Sequence, residues 1–293
     1  MGRPGCATLL AVTIEVSPEA SAEFKLSITR ALADQLADAL SRLHPAPLTS
    51  EQLSALQPRP GVYELFMRGR RVYVGKASRS IPARLGNHLR KLSGRSNITL
   101  GEISFQCLYV DEDLEAAAPE KMLIKNYRDH GGAPWNTNGF GSKDPGRNRD
   151  HSLVKANHFD AEYPINLDLR IESLAPGLYP VKTYLRAVKA SLPFNLRFDT
   201  RSAHSKEDYP DSTAEVPPAE LTVRELIRLA IDALPEGWQA TALPGYVILY
   251  REDTMYASAR LLWRKRNGVV SEVTGAARLD KPGAIEHEEA GDE

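Results

Sequence analysis

Residues 61–77, GVYELFMRGRRVYVGKA, restrict the chain more than any other stretch. Two apolar runs rich in Val, Tyr and Phe flank a short basic segment around Gly69, the pattern of two antiparallel strands joined by a tight turn. Side chains alternate along a strand, so the length of the turn decides which residues share a face. A three-residue loop, Arg68-Gly69-Arg70, puts Tyr63 and Tyr73 on the same side of the sheet. A two-residue loop puts the two rings on opposite sides. Only the first arrangement lets the two phenols share a site.

The hairpin sits in a chain of 293 residues, enough for about two domains of ordinary size. Upstream, AEFKLSITRALADQLADALSRL (22–43) places Phe24, Ile28, Leu32, Leu36, Leu40 and Leu43 at helical spacing. HPAPLTSEQLSALQPRP then reads as a proline-bounded connector. Residues 6–14, CATLLAVTI, read as an early strand; Glu15 and Glu19 interrupt any signal-peptide pattern. Downstream, SIPARLGNHLRKLSG is a helix that Ser80 caps, Pro82 opens and Gly94 ends. Leu85, Leu89 and Leu92 form its apolar stripe, while Arg84, His88, Lys91 and Arg95 form a basic stripe beside it. EISFQCLYV (102–110) reads as a buried strand, PEKMLIKNYRDHGG as a helix, and APWNTNGFGSKDPGRNRD as a long loop rich in Gly, Pro and Asn.

The second half carries an internal repeat. LAPGLYPVKTYLRAVKASLP (174–193) aligns without gaps on VPPAELTVRELIRLAIDALP (216–235), with Pro176, Val181, Arg186, Leu192 and Pro193 matched by Pro218, Val223, Arg228, Leu234 and Pro235. Strand-like runs follow both copies, so residues 165–279 read as an α+β domain of two strand–helix–strand units joined by a polar linker at 200–215. Residues 280–293 read as an unfolded tail. Charge divides along the same line. Residues 61–160 hold 16 Lys and Arg against 11 Asp and Glu; residues 161–293 hold 16 against 21. A basic segment in a chain of net charge −1 points to a polyanion partner for the first half. Two cysteines, Cys6 and Cys107, form neither a disulfide framework nor a metal-ligand spacing, which favours a reducing cytoplasm. No apolar run reaches membrane-spanning length.

Five motifs in order carry a resemblance: Gly61-Val62-Tyr63, Tyr73-Val74-Gly75, Arg84 in the following helix, Glu120, and Asn136. The set resembles the GIY-YIG nuclease superfamily, most closely its type II restriction endonuclease branch. His88 one turn after Arg84, the E-x-x-L-I-x-x-Y run from Glu120 to Tyr127, and Trp135-Asn136, Gly139-Phe140-Gly141 and Pro145-Gly146 add to it. The resemblance covers roughly residues 22–160. It implies a nuclease domain at 58–164, a small antiparallel or mixed sheet with flanking helices, preceded by an N-terminal strand and helical arm (1–57). An extra RDHGGA before Trp135 bears on where Asn136 falls.

What the resemblance implies for chemistry is Mg²⁺-dependent hydrolysis of a DNA phosphodiester. Such a reaction needs a positioned water, a proton acceptor and charge to stabilise a crowded transition state. Tyr63 would act as general base with Tyr73 assisting, and Lys76 would favour the phenolate. Arg84 would grip the scissile phosphate, His88 would bind phosphate or steady the leaving group, and Asn136 would orient the site. Glu120 would hold the metal. Lys91, Arg95, Lys143, Arg147 and Arg149 would contact DNA, and a double-strand cut would imply a homodimer. Taken singly, each of these residues has a plainer reading: strand aromatics, a first-turn helix acid, a surface histidine, a turn asparagine. The alternatives are a repair or mobile-element nuclease on the same site, or a DNA-binding or interaction protein that keeps the fold without activity.

Overall fold

The computed structural model describes residues 28–110, 119–127, 132–141, 146–171 and 174–282, with the backbone alone at 28–30, 119, 120, 122 and 126. The chain is a mixed α+β protein. Its first half runs α1 (Ile28–Ser41), β1 (Ala46–Pro47), α2 (Ser50–Ser54), β2 (Gly61–Met67), β3 (Arg70–Ala77), α3 (Ile81–Ser93), β4 (Ile103–Tyr109), α4 (Pro119–Tyr127), β5 (Val154–Lys155) and α5 (Phe159–Glu162). Strands β1, β4, β2 and β3 form an antiparallel sheet in that order.

The turn between β2 and β3 has two residues, because Met67 pairs with Arg70. Arg68 and Gly69 both take positive φ, 51° and 75°, as a tight hairpin turn requires. A two-residue turn alone would separate the tyrosines. A bulge reverses that outcome: Phe66 pairs with Arg71, but Leu65 pairs with Tyr73, so Val72 is an extra residue on β3. From there Tyr63 pairs with Gly75, and Tyr63 and Tyr73 lie on one face.

That face packs on α3, with Tyr63, Leu65, Tyr73, Ile81, Leu85, Phe105, Trp135, Phe140 and Phe159 forming one buried cluster. Helix α3 starts where Ser80 accepts a hydrogen bond from the Ala83 N–H, and ends at Gly94. Gly94 has an ordinary φ of −92°; what excludes a side chain there is Pro193, 2.4 Å from where a Cβ would stand. The reverse face of the sheet packs on α1 and α4 through Leu36, Leu40, Val62, Val74, Leu123 and Tyr127.

The second half continues with β6 (Arg170–Ile171), β7 (Gly177–Pro180), α6 (Val181–Ser191), β8 (Asn195–Phe198), α7 (Ala203–Asp208), β9 (Thr213–Val216), β10 (Leu221–Thr222), α8 (Val223–Ala233), β11 (Trp238–Ala242), β12 (Tyr246–Arg251), β13 (Leu261–Arg266), β14 (Val269–Thr274) and β15 (Leu279–Asp280). Strands β14, β13, β11, β12 and β8 make a five-stranded sheet, with β8 parallel to β12. Helices α6 and α8 bury Tyr184, Leu185, Leu226, Ile227 and Ile231 against Trp238, Val247 and Trp263. Thr222 and Glu225 form the reciprocal cap at the start of α8.

Two readings need correcting. The stretch taken as a polar linker, 200–215, holds α7 and most of β9, and β9 pairs with β7. The tail does not begin at 280, because Leu279–Asp280 pairs with β5 as β15; residues 283–293 lie outside the described residues.

Side chains of α3 and of the segment at 146–151 fasten the two halves together. Arg90 donates to the carbonyls of Ala190 and Leu192. Buried Asp150 accepts from Arg197 at 2.7 Å and from the Tyr246 hydroxyl at 2.8 Å.

Candidate active site

The shared face of the hairpin gathers four functional groups. The Tyr63 hydroxyl lies 2.7 Å from His88 Nε2. Ring centres are 6.2 Å apart for Tyr63 and Tyr73, 5.5 Å for Tyr63 and His88, and 5.3 Å for Tyr73 and His88. Arg84, one turn before His88 on α3, hydrogen-bonds both phenols. Burial alone would lower the Arg84 pKa, but the attraction and hydrogen bonds of Tyr63 and Tyr73 outweigh it and raise it. A glycine at 75 is obligatory for this arrangement, since an added Cβ would stand 2.3 Å from the Tyr63 hydroxyl.

His88 is uncharged at neutral pH. Burial, then the nearby charges of Arg84 and Lys91, pull its pKa down to about 3. A guanidinium only donates, so Arg84 occupies an acceptor position of the Tyr63 oxygen, and with the His88 proton on Nδ1 the phenol donates to Nε2. The arrangement therefore holds a phenol between a proton acceptor and a fixed cation.

The two phenols and the imidazole are closed off from water, while Arg84 beside them is exposed. Tyr63 is 0% exposed, Tyr73 4% and His88 6%. Phe140 covers them: its ring stacks on His88 at 4.9 Å and meets Tyr73 edge-on at 5.0 Å. Gly141 leaves no room for a side chain, because a Cβ there would lie 2.8 Å from the Tyr73 hydroxyl. The Phe140 carbonyl accepts a hydrogen bond from Lys91 Nζ at 2.6 Å. Burial pulls the Lys91 pKa down to about 8, with Arg95, Arg149 and Arg84 adding to the effect against Asp160.

Several candidates fall elsewhere. Lys76 is in register with Val62, so alternation puts it on the reverse face, away from both phenols; Arg84 is the cation that meets them. Asn136 does not face the cluster either. Its side-chain amide accepts from Val74 N–H at 2.9 Å and donates to Val74 C=O at 2.7 Å, so it closes the open edge of β3 as a neighbouring strand would. Arg95 is buried and bound to Asp160 at 2.9 Å, with a second bond to the Tyr163 carbonyl, so it is no surface contact for DNA. Arg149 also turns inward, onto Asp160 at 3.2 Å and His158 at 3.0 Å. Arg147 stays largely exposed, its guanidinium over the Tyr250 ring. Lys143 lies outside the described residues, as does the side chain of Glu120; the backbone of Glu120 is in the first turn of α4.

Three features were not anticipated. Asp160 is a hub: burial would raise its pKa, but Arg95, Lys91, His158 and Arg149 together hold it down. His158, pulled down to about 4 chiefly by burial, accepts from the Asp160 N–H. On the reverse face, fully buried Glu64 pairs with Arg71 at 2.8 Å and accepts from Gln106 at 2.5 Å. Arg71 in turn lies 3.5 Å over the Tyr127 ring, which ties α4 to the sheet. A glutamate inside an apolar strand, as in Tyr63-Glu64-Leu65, was the available signal for this network.

Among the described residues, no three His, Cys, Asp or Glu side chains converge as a metal site. The cluster itself offers phenols, an imidazole and a guanidinium, so a divalent ion here would depend on Glu120 for its carboxylate. The chain matches no protein-family model and no curated protein. Fold and site together define an α+β protein with two buried phenols, a neutral histidine and an arginine brought to one face of a hairpin.

Proposed function

We propose that the chain is a Mg²⁺-dependent DNA endonuclease of the GIY-YIG type, in its restriction branch. One observation carries the reading: Tyr63 and Tyr73 share a face with Arg84 between them and His88 bonded to Tyr63. In this reading Arg84 turns from the phenols to the scissile phosphate, and Tyr63 takes a proton from the attacking water while passing its own to His88. Burial depresses His88 most; Arg84 and Lys91 add to it, and a phosphate that neutralised them would raise the histidine's proton affinity. Glu120 would hold Mg²⁺, a hard cation that keeps most of its waters and needs few carboxylates. The ion would stabilise charge developing on the phosphate.

Access requires movement. The Gly139-Phe140-Gly141 segment has to leave the phenols, and Lys91 would exchange the Phe140 carbonyl for a DNA phosphate. Complete burial of Tyr63 also favours a second reading, a DNA-binding protein that retains the cluster as core. Plasmid incubated with Mg²⁺ separates the two. Discrete fragments from the native chain are expected, with Tyr63→Phe slower by about 10²–10⁴-fold and Glu120→Ala inactive. Random nicks would move the assignment to a repair-type nuclease, and retardation of DNA without cleavage would leave the binder.

A further inference from the structure

Strand β14 is the outermost strand of the five-stranded sheet, and among the described residues no strand pairs with its outer edge. Its inner edge pairs with β13 without a break, Val269 with Arg266 through Thr274 with Leu261. Beyond the strand, Gly275 N–H donates to the Arg260 carbonyl. Alternation therefore turns the backbone groups of Ser271 and Val273 inward, and those of Val270, Glu272 and Thr274 outward.

Exposed edges are usually guarded by lysine, proline, a bulge or an inward-pointing charge. Strand β14 reads VVSEVT and has no lysine, proline or bulge; its only charge, Glu272, is on the core-facing side across from Trp263. Its one charge is already held, since Glu272 takes the Arg224 guanidinium and accepts from Trp263 Nε1 at 2.9 Å. What remains is a β-branched edge with Val269 66% and Val273 44% exposed.

The edge is complementary to itself. Val269 and Val273 lie on one face at equal distances from Ser271. A second copy laid antiparallel across a two-fold axis at Ser271 sets each Val269 opposite Val273, Ser271 opposite Ser271, and Val270 opposite Glu272. No like charges face each other, and the valines meet as the closer, non-hydrogen-bonded pairs. The outward groups of Val270 and Glu272 complete the ladder, and two five-stranded sheets become one.

We propose that β14 is the pairing surface for a second copy of this chain, through antiparallel addition centred on Ser271. The strand edge carries this pairing whether or not the chain is a nuclease. The test is sedimentation of the full chain over a wide concentration range, with cross-linking to fix the register. Reversible self-association is expected for the native sequence, and a monomer for the doubly substituted Val269→Lys, Val273→Lys chain with an unchanged melting temperature. In a background carrying Cys6→Ser and Cys107→Ser, Ser271→Cys should oxidise to a covalent dimer, because residues paired across the axis fall within disulfide reach. Thr274→Cys should not. A native chain monomeric at every concentration, or a dimer that survives the lysine pair and cross-links no better through Ser271→Cys than Thr274→Cys, overturns the proposal.

Discussion

At the scale of single residues, His88 makes the fold sensitive to acid. Its pKa lies near 6.5 in an unfolded chain and about 3 in the folded one. Between those values the unfolded state binds the extra proton, so stability falls as the pH drops from about 6.5 toward 3. His158, pulled down to about 4, acts in the same direction. Thermal melts against pH should therefore show the melting temperature falling through this window, and a His88→Gln, His158→Gln chain should show a shallower fall. Equal slopes for both chains would mean that other groups dominate. The types of these residues were readable from the sequence, but their surroundings were not. The basic stripe of α3 was visible as spacing; that its members divide between Arg84 at the phenols and Arg95 buried on Asp160 depends on residues outside the helix, Asp160 far along the chain among them. Lys76 failed for a simpler reason, the alternation of a strand, which the tyrosine register already contained.

At the scale of elements, helix ends were the most legible part, because caps are local chemistry: Ser80 and the Thr222–Glu225 box act where their sequence signals stand. The hairpin shows the limit. A turn could be counted from Arg68, Gly69 and Arg70, but a bulge at Val72 has no comparable signature. Deleting Val72 while keeping the two-residue turn should remove the bulge and leave Tyr73 opposite Leu65, still on the face of His88 and Phe140. The expected loss is that of the buried Val72 side chain, about 1.5–3 kcal/mol, with cleavage retained. Denaturant melts and plasmid cleavage on the deleted chain decide this; abolished cleavage would mean that Val72 is not the extra residue of β3. Asn136 was similarly illegible, since nothing in a Pro-Trp-Asn turn announces that its amide will serve as the missing neighbour of β3.

At the scale of the whole molecule, the two halves are coupled through α3 and the loop at 146–151. Asp160 lies at this junction, with Arg95 from the end of α3 and Arg149 from the loop on its oxygens and Gly245 of the second half packed against it. Asp160→Asn leaves the Arg95 charge buried without its partner, which typically costs about 3–5 kcal/mol. Urea unfolding should show that loss in one shared transition; a shift confined to one of two transitions would show that the halves unfold independently. Charge asymmetry along the sequence hinted at two regions, but not that buried ion pairs would fasten them, because a pair between distant residues leaves no local pattern.

The extra residue at Val72 also affects how chains of this kind compare. Tyr63 and Tyr73 stand ten positions apart. A longer turn with regular strands would give that same interval, so the two backbone routes are interchangeable as far as the phenols are concerned. Drift could trade one for the other without moving either ring, and the interval between the tyrosines is a sturdier marker than the shape of the bend that joins them.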